Sequence, residues 1–121
     1  MTISELRSEF TEVGIDSNEM VEKFMDSEAM FLKYYKKFFG AAGDVVRELK
    51  DAVSADDHAA IENRAHALKG LSGNVGLNAV FEPAKKIVDD VRAGQFDCYK
   101  DDLARLLEAY TKAEAIAHKL D

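Results

Sequence analysis

A chain of 121 residues is the length of one domain, and with 47% hydrophobic residues it can bury a real core. Its formal net charge of −7 argues against nucleic acid and against anionic membranes, both of which want a basic face. One proline, no tryptophan and one cysteine, with many Ala, Leu, Glu and Lys, point to an all-helical protein without an internal disulfide. The longest uncharged run, Gly70 to Phe81, is too short to span a bilayer. The N-terminus lacks an apolar stretch behind a basic lead, so no signal peptide is expected. The lone Cys98 fits a reduced, cytoplasmic setting. Met1 and compact ends favour a free-standing protein.

Residues 2–13 read as a short helix. Thr2-Ile-Ser-Glu5 has the form of a capping box, and Gly14 suits a stop. Asp16-Ser-Asn-Glu19 offers a second start, with Met20, Phe24 and Met25 as an apolar side read as core packing. Asp26 or Ser27 can cap the next helix, which runs through Met30, Phe31, Tyr34, Tyr35 and Phe38. Gly40 and Gly43 interrupt it, so a kink or a break in two is expected there. Val45, Val46, Leu49, Ala52 and Val53 then resume the apolar face. Lys33, Lys36 and Lys37 form a basic patch, read as a solvated face with a docking contact as the alternative.

Ser54-Ala-Asp-Asp57 starts a helix that runs to about Gly76, with acidic residues favourable in its first turn. Asn78 is the expected cap of the following helix, which extends to residues 90–92. Pro83 falls past its first turn, where a backbone N–H is normally used, so a kinked or late-starting helix is expected. Gly94 ends it, Gln95-Phe96 makes a tight connection, and Asp97 caps a last helix. That helix carries Tyr99, Leu103, Leu106, Leu107, Tyr110, Ala113, Ile116 and Leu120 at helical spacing. Short loops make neighbouring helices antiparallel. The predicted fold is therefore one all-α domain over 1–121, an antiparallel up-down four-helix bundle with a short extra N-terminal helix. There is no internal repeat, low-complexity stretch or linker.

The helix after Asp57 holds the distinctive chemistry. At about 100° per residue, Ile61, Ala65, Leu68, Leu71 and Val75 make one apolar stripe. His66 falls on the opposite face, together with Ala59, Glu62, Asn63, Gly70 and Gly73, and Lys69 lies at its edge. A glycine inside a helix costs about 1 kcal/mol relative to alanine, so Gly70 and Gly73 need a reason. Side chains at i and i+4 stand one above the other, so a glycine at 70 clears the space above the imidazole. Lys69 can put positive charge beside an arriving anion. A neutral imidazole nitrogen is a nucleophile near pH 7. Together these residues suggest an exposed histidine that accepts a phosphoryl group on a ring nitrogen. The bland alternatives are an ordinary surface histidine, a solvated lysine and a glycine packed against another helix. His58 and His118 read as surface residues. Glu62 with His66, and Glu114 with His118, have i,i+4 spacing, but di-iron bundles use inward-facing Glu-x-x-His, so no metal site is expected. No glycine-rich nucleotide loop is present.

The run Ala65-His66-Ala-Leu68-Lys69-Gly70, followed by Gly73-Asn74-Val75-Gly76, resembles the active-site signature of histidine phosphotransfer (HPt) domains. These are the helical carriers of two-component phosphorelays. The likeness covers nearly the whole chain. It takes in Gly14-Ile15-Asp16, the aromatic-rich helix ending Phe38-Phe39, and the segment from Gly76 through Ala84 and Ile87 to Gly94.

The resemblance implies that His66 is the phosphoryl acceptor and that Lys69 meets the phosphoryl oxygens. Gly70 and Gly73 would give access, and a small-sided docking surface of Ala59, Asn63, Ala67 and Asn74 would surround the ring. It implies partners too: response-regulator receiver domains and a hybrid sensor histidine kinase. The receiver would bring Mg²⁺, an acidic pocket and the aspartate, so this chain needs no cofactor of its own. Nothing resembles the ATP-binding half of a kinase, so a monomeric phosphoprotein carrier rather than an enzyme is expected. One position departs from the family. Many members place a Gln or Glu on the following helix to orient the imidazole, and here that place holds Val88. Asp89, Lys85 or water would then take the role. The alternative function is a helical adaptor that binds receivers while His66 stays silent.

Overall fold

Helices begin where a side chain can take up a free backbone N–H. In the computed structural model, which describes residues 1–120, this happens four times. Thr2 and Glu5 cap each other's backbone N–H groups and open α1 (Ile3–Glu12). Asp16 accepts from the Glu19 N–H at 3.1 Å and opens α2 (Ser17–Lys23). Ser27 accepts from the Met30 N–H at 3.1 Å and opens α3 (Glu28–Ser54). Asp57 accepts from the Ala60 N–H at 3.2 Å and opens α4 (His58–Asn74). The remaining helices, α5 (Asn78–Arg92) and α6 (Tyr99–His118), start without a side-chain cap.

Those two starts differ from the sequence expectation. Leu77, not Asn78, stands at the start of α5, because the Asn78 amide is used elsewhere: Nδ2 donates to the Gly14 carbonyl at 2.9 Å. With the Ala79 N–H donating to the Val13 carbonyl at 3.1 Å, this ties the α1–α2 turn to the head of α5. Cys98, not Asp97, precedes α6. Pro83 neither delays nor breaks α5; it sits inside the helix and is buried.

The helix does not break in two at Gly40 and Gly43, and α3 runs on for 27 residues, about 40 Å. One face of α3 is buried along its length, from Phe31 through Tyr35, Phe38, Ala42, Val46 and Leu49 to Val53. That packing outweighs the roughly 1 kcal/mol that each glycine costs. The N-terminal addition is two short helices rather than one. Met20 is buried as expected, but Met25 is 82% exposed, in a turn where Met25 and Asp26 both have φ of 60°.

Four long helices form the bundle: α3 packs on α4, α4 on α5, α5 on α6, and α3 also meets α6. The contacts run in opposite order along neighbouring helices. Tyr35 Oη, buried, donates to the Ala113 carbonyl at 2.6 Å, and one turn on, Phe38 meets Tyr110 at 6.3 Å between ring centroids. α1 lays Phe10 against Phe31 and Tyr35, with centroids 5.6 and 5.2 Å away, and so closes the end of the core near the start of α3. Asp102 is only 2% exposed, and it is paired with Lys86 at 3.0 Å and with Arg105. Gly76, at φ +69°, ends α4 against Met20, whose Cγ would lie 2.9 Å from any Cβ placed there.

Candidate functional site

The core face of α4 sets where its other face points. Ile61, Ala65, Leu68 and Ser72, at i, i+4, i+7 and i+11, are fully buried. Ser72 is satisfied within the helix, donating to the Leu68 carbonyl at 2.8 Å. A helix anchored by that stripe carries His66 on its solvent side, and His66 is exposed.

Gly70, one turn on, is exposed too, and a Cβ built on it would meet nothing within 4 Å. Helical Cα–Cβ bonds tilt toward the N-terminus, so a side chain at 70 would lean back over His66. Lys69 is half-buried and, among the described residues, pairs with no carboxylate. Gly73 has different surroundings. A Cβ there would lie 3.4 Å from the ring of Phe81 on α5, so this glycine makes room for a neighbouring helix rather than for access to the imidazole. The wheel for α4 alone could not show that ring.

Val88 is fully buried. The two candidates for orienting the imidazole in its stead are engaged with each other: Lys85 Nζ lies 3.1 Å from Asp89 Oδ2. Among the described residues no side chain hydrogen-bonds the His66 ring.

The candidate docking residues separate into two regions. Ala59 and Asn63 are exposed and line an open cleft of about 690 Å³ between α3 and α4, walled by Glu48, Asp51 and Asp57. Asn63 Oδ1 accepts from Arg64 Nε at 2.8 Å, and Arg64 reaches Glu48 at 3.7 Å. Asn74, also exposed, lines a more apolar cleft of about 530 Å³ with Phe24, Tyr34, Phe38 and Leu71, and with Lys23 and Lys37 in its wall. Ala67 is half-buried. Sequence reasoning missed the aromatic wall. Phe24, read as core packing, stacks on Tyr34 at 5.4 Å, and Tyr34 is 42% exposed.

His58 is not the free surface residue expected. It is half-buried, stacks on Phe96 with centroids 3.7 Å apart, and meets the edge of Tyr99 at 6.3 Å. Tyr99 donates to Asp56, and that bond raises the Tyr99 pKa. His118 is exposed. Among the described residues no group of three or more His, Cys, Asp or Glu lies where it could hold a metal ion. None of the described helices is long and apolar enough to cross a membrane.

Comparison with curated proteins and with solved structures finds no significant match. The family model for the Hpt domain matches residues 33–120, from the first turns of α3 to the end of α6, and takes in His66, Lys69, Gly70 and Val88. The match covers well over half of the sequence, and its helical architecture is the one observed. The chain belongs to the Hpt domain family, the phosphocarrier domains of two-component phosphorelays.

Proposed function

We propose that the protein accepts a phosphoryl group on His66 from a receiver-domain aspartate and passes it to the aspartate of another receiver. The observation that carries this reading is the exposed imidazole in mid-helix with open space where a Gly70 side chain would stand. The ring nitrogen's lone pair attacks phosphorus, the P–N bond forms, and the P–O bond to the aspartate breaks. The carboxylate leaves with the bonding pair, and the return step reverses this. Phosphoryl transfer depends mostly on positioning and charge neutralisation. Lys69, with no carboxylate partner among the described residues, supplies a positive charge to the phosphoryl oxygens. The receiver supplies Mg²⁺ and the acidic pocket. A monomeric, cytoplasmic carrier served by a hybrid sensor kinase belongs to the same proposal.

The cleft beside Asn74 extends the docking surface toward α2 and α3 and offers apolar contact for a receiver. The unbonded imidazole is the one observation that favours a silent adaptor. Both readings meet the same test. The protein is mixed with a phosphorylated receiver domain and Mg²⁺, and acid-labile phosphate is located by mass spectrometry, with His66→Gln alongside. Phosphate on His66, absent in the variant, supports the carrier. A folded protein that binds several receivers but takes phosphate from none is an adaptor.

A further inference from the structure

Two contacts set the level of α4 against α5. Arg92 Nε lies 3.6 Å from Glu62 Oε2, and the Phe81 ring lies 3.4 Å from the Cβ position of Gly73. The pairs run in opposite order, so each step forward on α4 matches a step back on α5. Val88 is then level with His66, and Lys85 is level with Lys69. Phe81, Lys85, Val88 and Arg92 are spaced i, i+4, i+7 and i+11, one row of a helix. The two ends of that row touch α4.

Val88 is buried and closes the level of His66 with an apolar side chain. One turn away, each helix presents a lysine. Lys69 has no carboxylate partner among the described residues. Lys85 pairs only with Asp89 of its own helix, and both side chains are about half exposed, at 49% and 55%. Such a pair is weak and readily exchanged for a better anion. An anion arriving at that level would be attracted by both ammonium groups. An ammonium has three donors and no acceptor, so Lys85 suits phosphoryl oxygens rather than the ring N–H that a Gln or Glu would hold.

We propose that Lys85 is a second phosphoryl-binding lysine, which leaves Asp89 when His66 is phosphorylated and brackets the phosphoryl oxygens together with Lys69. This rests on the carrier reading of His66. Lys85 makes and breaks no covalent bond. It stabilises the charge that stays on the phosphoryl oxygens after the P–O bond to the receiver aspartate has been replaced by the P–N bond.

The test is the equilibrium of the phosphoryl group between the protein and a purified receiver domain with Mg²⁺, approached from both directions. An equilibrium between the free partners does not depend on how tightly they dock, so a lysine used only for docking or folding leaves it unmoved. Lys85→Gln is expected to shift the equilibrium constant away from His66 by about two- to five-fold, the scale of an exposed charge pair. Lys85→Arg restores it. Asp89→Asn, which frees Lys85, shifts it the opposite way, and all these differences shrink at about 1 M salt. If His66 takes phosphate but neither Lys85→Gln nor Asp89→Asn moves the equilibrium, Lys85 has no such role and the carrier reading stands. If wild-type His66 takes no phosphate from any receiver, both fall.

Discussion

Replacing Gly70 by alanine should make the protein more stable and a poorer phosphoryl carrier. Gly70 lies in the interior of α4 with helical backbone, and the added Cβ would meet nothing within 4 Å. The steric term is therefore close to zero, and helix propensity remains, a gain of about 1 kcal/mol. For a chain of 121 residues that raises the melting temperature by about 4 °C. Urea unfolding should show a higher midpoint with an unchanged slope. Gly40→Ala on α3, also with open space around its Cβ, is the matched control and should gain a similar amount. The functional cost comes from direction: the new side chain leans back over His66. A methyl group should slow transfer from a receiver several-fold. Gly70→Gln should slow it on the order of 100-fold, since an ångström of misplacement can cost that much. Stability gained at the expense of activity is the usual mark of a functional glycine. A destabilised Gly70→Ala would show that the space is not open. A stable Gly70→Gln that transfers at the wild-type rate would remove the argument that Gly70 clears a path to the imidazole.

The same substitution at Gly76 should have the opposite sign, because φ is +69° and Met20 stands in the way; a loss of about 1–3 kcal/mol is expected in urea unfolding. Phe31→Ala removes a fully buried ring packed against Phe10, Phe24 and Tyr35 and should cost about 3–5 kcal/mol by the same measurement. Burial holds the Tyr35 hydroxyl well above the ordinary tyrosine range, so the folded protein keeps this proton where the unfolded chain loses it. Its contribution is then complete below about pH 10 and is lost as pH rises beyond. Tyr35→Phe should lose about 1 kcal/mol at neutral pH with its bond to Ala113. It should also flatten the alkaline fall in stability seen in thermal melts. Some slope should persist, because Tyr99, through Asp56, and Tyr110, through burial, are raised as well.

Much of the fold was legible because it is local. Thr2 with Glu5, Asp16, Ser27 and Asp57 start helices through bonds to N–H groups three residues away, and such bonds depend only on the chain nearby. The outward direction of His66 followed in the same way from the helical period and the stripe opposite it. By itself the sequence thus determined where α1 to α4 begin and which side of α4 meets solvent.

What only the tertiary structure decided lies between helices. Asn78 gave up its cap role for the Gly14 carbonyl, 64 residues away in the chain. Gly73 received the Phe81 ring, and His58 gained a stacked partner, Phe96, from the α5–α6 connection. Gly40 and Gly43 stayed helical because the long face of α3 is packed along its length. The levelling of Lys85 with Lys69 depends on how far α5 slides along α4. The helical period sets a residue's angle about its own axis, whereas the slide is set by side-chain packing across the interface.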